Sequence, residues 1–182
     1  MRLACSALVS LVLVAAAGAS SAWRVRVSEG IAGVRLGMTQ AEVAARIGKP
    51  YVTSLPSGNA TCGMYARIPD FGACFDMRTR RVVTLYAIGP RFCVVRPRFC
   101  FEKAGGLGKL KRAFGRRLIG PVRKGDQVFY KYIVRRGSRR VQSAFIVDTR
   151  SPPPYRGSAV VAAYIAFCGR EGTIVPRCAR RR

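Results

Sequence analysis

Between Leu36 and Pro50 the chain reads LGMTQAEVAARIGKP, with apolar Val43 and Ile47 four residues apart on one helical face. Thr39 and Glu42 supply a T-x-x-E capping box. The Thr hydroxyl can accept from the Glu42 amide while the Glu side chain reaches back to the Thr39 amide. Gly48 suits a left-handed helix end, and Pro50 prevents continuation. The pattern predicts a helix of about two turns, too short to persist alone in water, so it must pack on something. Runs rich in aliphatic and aromatic residues follow at 62–68, 73–77 and 82–88 and predict strands. Pro69-Asp70-Phe71-Gly72 and Arg78-Thr79-Arg80 separate them as turns.

The second half repeats this order. A helical pattern spans 103–118 with Leu107, Leu110, Phe114 and Leu118 on one stripe and Lys109, Arg112 and Arg116 off it, which makes the outer face cationic. Strand patterns follow at 127–135, 140–147 and 158–168. The halves can be laid on each other in collinear order. Val43, Ile47 and Gly48 match Leu110, Phe114 and Gly115; Asp76 matches Asp148; Val82, Val83 and Tyr86 match Val160, Val161 and Tyr164. The Ser151–Pro154 stretch is a loop inserted in the second copy. The expected fold is therefore α+β. It has two tandem units, each a short helical segment packed on a three- to four-stranded antiparallel sheet, over residues 23–101 and 102–169, with a basic tail at 170–182.

One hairpin can be set in register. With Gly137-Ser138 as a two-residue type II′ turn, Val128 faces Val147, Tyr130 faces Phe145, and Arg135 faces Arg140. The apolar residues of both strands then share a face, and the Arg135/Arg140 pair calls for solvation or an anion. The same exercise with Pro69–Gly72 as a four-residue loop puts Cys74 opposite Arg67, out of disulfide reach of Cys62. Either Cys62 then lies in a loop before its strand, or these cysteines pair elsewhere.

The N-terminus reads as a secretory signal over residues 1–22. Met1-Arg2 is a positive start, an apolar stretch runs from Leu3 to Ala17, and small residues allow cleavage after Ala19 or Ala22. This implies a secreted or extracytoplasmic protein with no transmembrane segment after signal removal. Cys5 leaves with the signal. The remaining six, Cys62, Cys74, Cys93, Cys100, Cys168 and Cys178, are an even set in an exported chain and favour disulfides over a metal site, since no pair has CxxC spacing. Cys93–Cys100 and Cys168–Cys178 are the local pairings, because short loops close at least entropic cost.

Charge narrows the chemistry. The 182 residues hold 33 Lys+Arg, 8 Asp+Glu and no His, for a formal net charge of +25. The lack of His excludes Ser-His-Asp and Cys-His catalysis and His-ligated zinc. Asp76 and Asp148 sit at equivalent strand ends beside Arg78 and Arg150, as turn or ion-pair residues rather than an acid/base dyad. The expectation is a non-enzymatic binding module without a cofactor. Its partner would be an anionic cell-envelope polymer or an acidic protein, with nucleic acid bound only as a non-specific polyanion. The candidate contacts are Arg67, Lys109, Arg112, Lys131, Arg135 and Arg140. A GC-rich genome would produce the same arginine excess.

Leu36-Gly37-Met38-Thr39, then Glu42-Val43 and Ile47-Gly48-Lys49-Pro50, resembles the GMT…V…G.P signature of the β-lactamase inhibitor protein family, which the BamE/SmpA outer-membrane assembly lipoproteins share. Tyr155-Arg156-Gly157-Ser158-Ala159 is similar to the start of a late strand in the inhibitors. The second helix begins with Gly105-Gly106-Leu107-Gly108 instead of GMT, and the chain has no lipobox. The resemblance implies helical segments packed on antiparallel sheet, doubled in the inhibitors. An alternative reading follows from it: a protein inhibitor or assembly factor, with Tyr65, Phe129, Tyr130, Tyr132, Tyr86 and Tyr164 as the available aromatic anchors. Fold alone does not carry that activity across.

Overall fold

The computed structural model describes residues 23–53, 59–125, 127–148, 159–169 and 177–178. The expected signal segment with its two cleavage positions, the expected loop at 151–154 and most of the expected basic tail at 170–182 lie outside the described residues.

The architecture is mostly β. A small sheet is made of β1 (Trp23–Arg26), β2 (Gly30–Ile31), β3 (Val34–Arg35), β8 (Phe92–Val94) and β9 (Phe99–Cys100). A large antiparallel sheet holds β4 (Val52–Thr53), β5 (Ala60–Tyr65), β6 (Ile68–Asp76), β7 (Val82–Ile88), β10 (Leu118–Lys124), β11 (Gln127–Arg136), β12 (Arg139–Val147) and β13 (Val160–Phe167). Its order is β10-β11-β12-β13-β7-β6-β5-β4, and that of the small sheet is β3-β2-β1-β8-β9, with β1 and β8 parallel. Two α-helices, α1 (Gln40–Ile47) and α2 (Gly106–Phe114), and a 3-10 turn at Gly115–Arg117 complete the described elements.

This corrects the expectation of an α+β fold in two tandem helix-plus-sheet units. The two halves meet along the β7/β13 seam, where Tyr86 pairs with Tyr164, Ala87 with Ala163 and Leu85 with Ile165. One eight-stranded sheet results. Its main apolar cluster mixes Val43, Phe71 and Leu85 with Leu110, Phe145 and Ile165, so both halves share a core. The small sheet packs into the same cluster through Val25, Ile31, Val34, Phe92 and Val94. Strands of two to four residues carry too little alternation to be seen in a sequence.

Local predictions fared unevenly. The capping box at α1 forms, with the Thr39 amide donating to Glu42 Oε2 at 2.6 Å and the Glu42 amide donating to Thr39 Oγ1 at 3.3 Å. Val43 and Ile47 are buried. The second helix is shorter than expected. It stops where Gly115 takes φ 50°, a short 3-10 turn follows, and Leu118 opens β10 instead of extending the helical stripe. The Gly137 hairpin has the expected register from Val128↔Val147 to Arg135↔Arg140, with Gly137 at φ 57° as type II′ requires. Its second face is not solvent-facing. Phe129, Lys131, Gln142, Ala144 and Ile146 are all buried there.

The first-half hairpin is corrected. Its turn is Ala66-Arg67, and residues 69–71 form an irregularity within β6 between the Tyr65↔Ile68 and Met64↔Gly72 pairs. Asp70 takes φ 63° within it. Cys62 then lies directly opposite Cys74, and the two are disulfide-bonded. Gly72 serves close packing rather than a turn: a Cβ on it would lie 2.1 Å from Tyr86 Cζ. Cys93–Cys100 and Cys168–Cys178 are also bonded, as expected. The three disulfides are compatible with an oxidising, extracytoplasmic compartment. Among the described residues, no helix is long and apolar enough to cross a membrane.

Candidate anion-binding clefts

A cleft forms where the small sheet meets the far end of β11. The turn after β1 crosses the large sheet, and Ser28 locks it there. Its amide donates to Ser143 Oγ at 2.8 Å, and the two hydroxyls lie 3.2 Å apart. Both serines are buried, and Ser28 is held at φ 62°. Ser143 faces Tyr132 across the β11/β12 pair. Tyr132 stacks on Phe114 at 4.2 Å between centroids and carries the Arg117 guanidinium 5.1 Å from its own. These contacts join β1, β11, β12 and the end of α2 into one wall.

The cleft so enclosed has a volume of about 850 Å³. Arg26, Arg96, Arg117, Arg135 and Arg136 line it, and among the described residues Glu29 is the single carboxylate. Glu29 accepts from Arg136 Nη2 at 2.9 Å and lies 3.9 Å from Arg26 Nη1. Both arginines are about half exposed and Glu29 somewhat less, so the pairs are solvent-screened and one carboxylate leaves most of the positive potential of the cleft in place. Arg135 turns its Nε toward the Gly137 carbonyl at 3.1 Å. A second, smaller cleft of about 250 Å³ adjoins it, lined by Arg24, Arg26, Arg35 and Arg46 and again by Glu29.

The six cations expected as contacts are not brought together. Arg67 sits at the β5/β6 turn, and Arg135 and Arg140 flank the β11/β12 turn at the opposite end of the sheet. Lys109 and Arg112 lie on the exposed face of α2. Lys131 is buried, with Nζ donating to the Arg177 carbonyl at 3.1 Å. Arg140 is half-buried. Only Arg135 lines the main cleft. Arg26, Arg96, Arg117 and Arg136 were missed. They occupy turns and element ends, and the Arg116-Arg117 and Arg135-Arg136 doublets were the one local hint.

The aromatic candidates divide. Tyr65, Phe129, Tyr130 and Tyr164 are buried, and Tyr86 and Tyr132 are half-buried. Burial pushes the Tyr65 phenol up to about 12. Tyr86 stacks on Tyr164 at 5.8 Å, and burial raises both phenols, with the nearby Tyr51 adding to the effect on Tyr86. Tyr51 itself is 61% exposed and had not been singled out. Asp76 and Asp148 end strands that run in opposite directions, so they stand at opposite ends of the sheet and form no dyad. Asp76 Oδ1 instead accepts from the Arg78 and Thr79 amides and closes the turn into β7.

The chain matches no protein-family model, no curated protein and no solved structure.

Proposed function

We propose that this protein is an exported, disulfide-stabilised, non-enzymatic binding module that takes an anionic partner in the arginine-lined cleft. The observation that carries the reading is the convergence of Arg26, Arg96, Arg117, Arg135 and Arg136 on one cleft, with Glu29 the single carboxylate there among the described residues. Convergent guanidinium groups suit oxyanions, because each offers several donors in a planar fork. The disulfides suit an exported chain. Retention on immobilised heparin, measured against salt, tests the proposal. The wild type should need high salt for elution, and Arg96→Gln/Arg117→Gln should elute earlier, with a shallower salt dependence. Elution of the wild type with a neutral control protein would sink it.

A second reading, a protein inhibitor or assembly factor as the Leu36–Pro50 resemblance implies, is favoured by exposed Tyr51, Val52 and Ile88, with Tyr51 near enough to Tyr86 to raise its phenol. Inhibition of a β-lactamase that is lost in Tyr51→Ala would support it. No inhibition by the wild type removes its inhibitor form.

A further inference from the structure

The two clefts share a wall, since Arg26 and Glu29 line both. They therefore form one arginine band rather than two separate pockets. One end carries Arg35 and Arg46, from β3 and the last turn of α1; the other carries Arg96 and Arg117, from the turn after β8 and the turn after α2. Among the described residues, the ion pairs on this band are those of Glu29 with Arg26 and Arg136. Arg35, Arg46 and Arg96 are exposed.

We infer that the band is a subsite array for a linear polyanion, a chain carrying oxyanion groups at repeated intervals that spans both clefts across the Arg26–Glu29 divide. This rests on the anion-binding reading proposed above and makes it more specific. A small anion would be served by one cleft. Cationic subsites laid end to end across a shared residue gain only when one ligand occupies both, because the second contact is then made at high effective concentration. The aromatic rings argue against a nucleic acid read by its bases. Phe114 and Tyr132 stack on each other, Tyr132 also carries Arg117, and Phe114 packs against the core, so the rings are engaged within the protein. Recognition is left to the guanidinium groups, which fits phosphate chains and sulfated or carboxylated glycans. The Arg26–Glu29 pair at the divide is weak enough for a passing oxyanion to replace the carboxylate.

The test is binding measured against salt for the full oxidised chain with four probes: inorganic phosphate, long-chain polyphosphate, heparin, and a single-stranded oligothymidylate of matched charge. Two paired variants report on the two ends, Arg35→Gln/Arg46→Gln and Arg96→Gln/Arg117→Gln. Lys109→Gln/Arg112→Gln removes the same charge from the outer face of α2 as a control. Each variant is checked for an unchanged thermal midpoint. The expected result is that polyphosphate or heparin binds at least tenfold more tightly than inorganic phosphate. Each end pair should lower the slope of log K against log salt by about 2, one per lost contact, and the control pair should lower it by clearly less. Preference for polyphosphate over heparin, or the reverse, then assigns the phosphate or the glycan source.

Three outcomes overturn the inference. One is binding that does not depend on chain length. Another is an Arg35→Gln/Arg46→Gln slope equal to that of the control. The third is oligothymidylate binding more tightly than either polymer. Retention on heparin with the first or second of these leaves the single-cleft reading standing and removes the array. Absence of retention removes both.

Discussion

The contact between Gly72 and Tyr86 makes a prediction whose sign depends on background. Gly72 lies in β6 opposite Tyr86, and the nearest atoms to a Cβ built on it are Cζ, Cε1 and Oη of that ring, at 2.1, 2.3 and 2.3 Å. Ordinary contact begins near 3.4 Å, so Gly72→Ala must push the ring away by more than an ångström. The ring cannot withdraw freely, because it stacks on Tyr164 at the seam that joins the two halves of the sheet. Overpacking of this kind costs about 1–3 kcal/mol. Against it stands a gain of about 0.4–1 kcal/mol from the less flexible unfolded chain, since Gly72 does not hold a positive φ and alanine fits its backbone. The expected net effect is a loss of about 1–2 kcal/mol in the wild type. In a Tyr86→Ala background the clash is gone and the same change should be neutral or stabilising, by up to about 1 kcal/mol. Urea unfolding of the four proteins, with disulfides intact, closes the cycle and yields a coupling of roughly 1–3 kcal/mol. An equal loss on Gly72→Ala in both backgrounds would refute the argument, because the cost would then not come from the tyrosine ring.

Further outcomes follow from the same structure. Thr39→Ala removes the α1 cap and should cost about 0.5–2 kcal/mol in a denaturation midpoint. The Thr39 hydrogen bonds hold the Glu42 carboxyl below its ordinary 4.5, so their contribution is present above that value and is lost as pH falls through the lowered one. Glu42→Gln removes the titrating group while Thr39→Ala keeps the amide bond to it, so an acid slope unchanged in Glu42→Gln would contradict this. Tyr65 titrates near 12 when folded and near 10 when unfolded. Its contribution is therefore full below pH 10 and declines as pH rises toward 12, and Tyr65→Phe should make the alkaline fall of the unfolding midpoint shallower. Some fall should remain, since Tyr86 and Tyr164 are shifted in the same direction. Replacing Cys62 and Cys74 together by alanine should cost about 2–4 kcal/mol, read from calorimetry. Phe145→Ala, at the fully buried centre of the shared core, should cost about 3–5 kcal/mol.

Signals confined to a few neighbouring residues were legible in the chain. The Thr39–Glu42 box, the Val43/Ile47 face, the Gly137 hairpin with every pair in register and the two short-loop disulfides all depend on partners close in sequence. The Pro69–Gly72 stretch misled because glycine and proline have more than one use. A bulge and a close ring contact need them as much as a turn does, and the choice depends on Tyr86, which is remote until the sheet forms. That error moved the register and hid the Cys62–Cys74 bond. The collinear matches between the halves implied two separate units, but the halves pair edge to edge through β7 and β13, which alternation in one strand does not report.

For the candidate site the division is sharper. Composition by itself determined that the protein has a large positive charge, few carboxylates and no histidine, which is what directs the proposal toward an anionic partner. It did not determine where the charge is concentrated. Arg26, Arg96, Arg117 and Arg136 come from four separate stretches of chain, and only the packing of the small sheet on the end of β11, fixed through Ser28 and Ser143, brings them to one cleft. Lys131 shows the converse, since it alternates along a strand like a surface residue and is buried, with its ammonium on the Arg177 carbonyl more than 40 positions later. Local pattern reports the periodicity of an element; the partner on each of its faces is set by chain that arrives from elsewhere, and only the tertiary structure decides that.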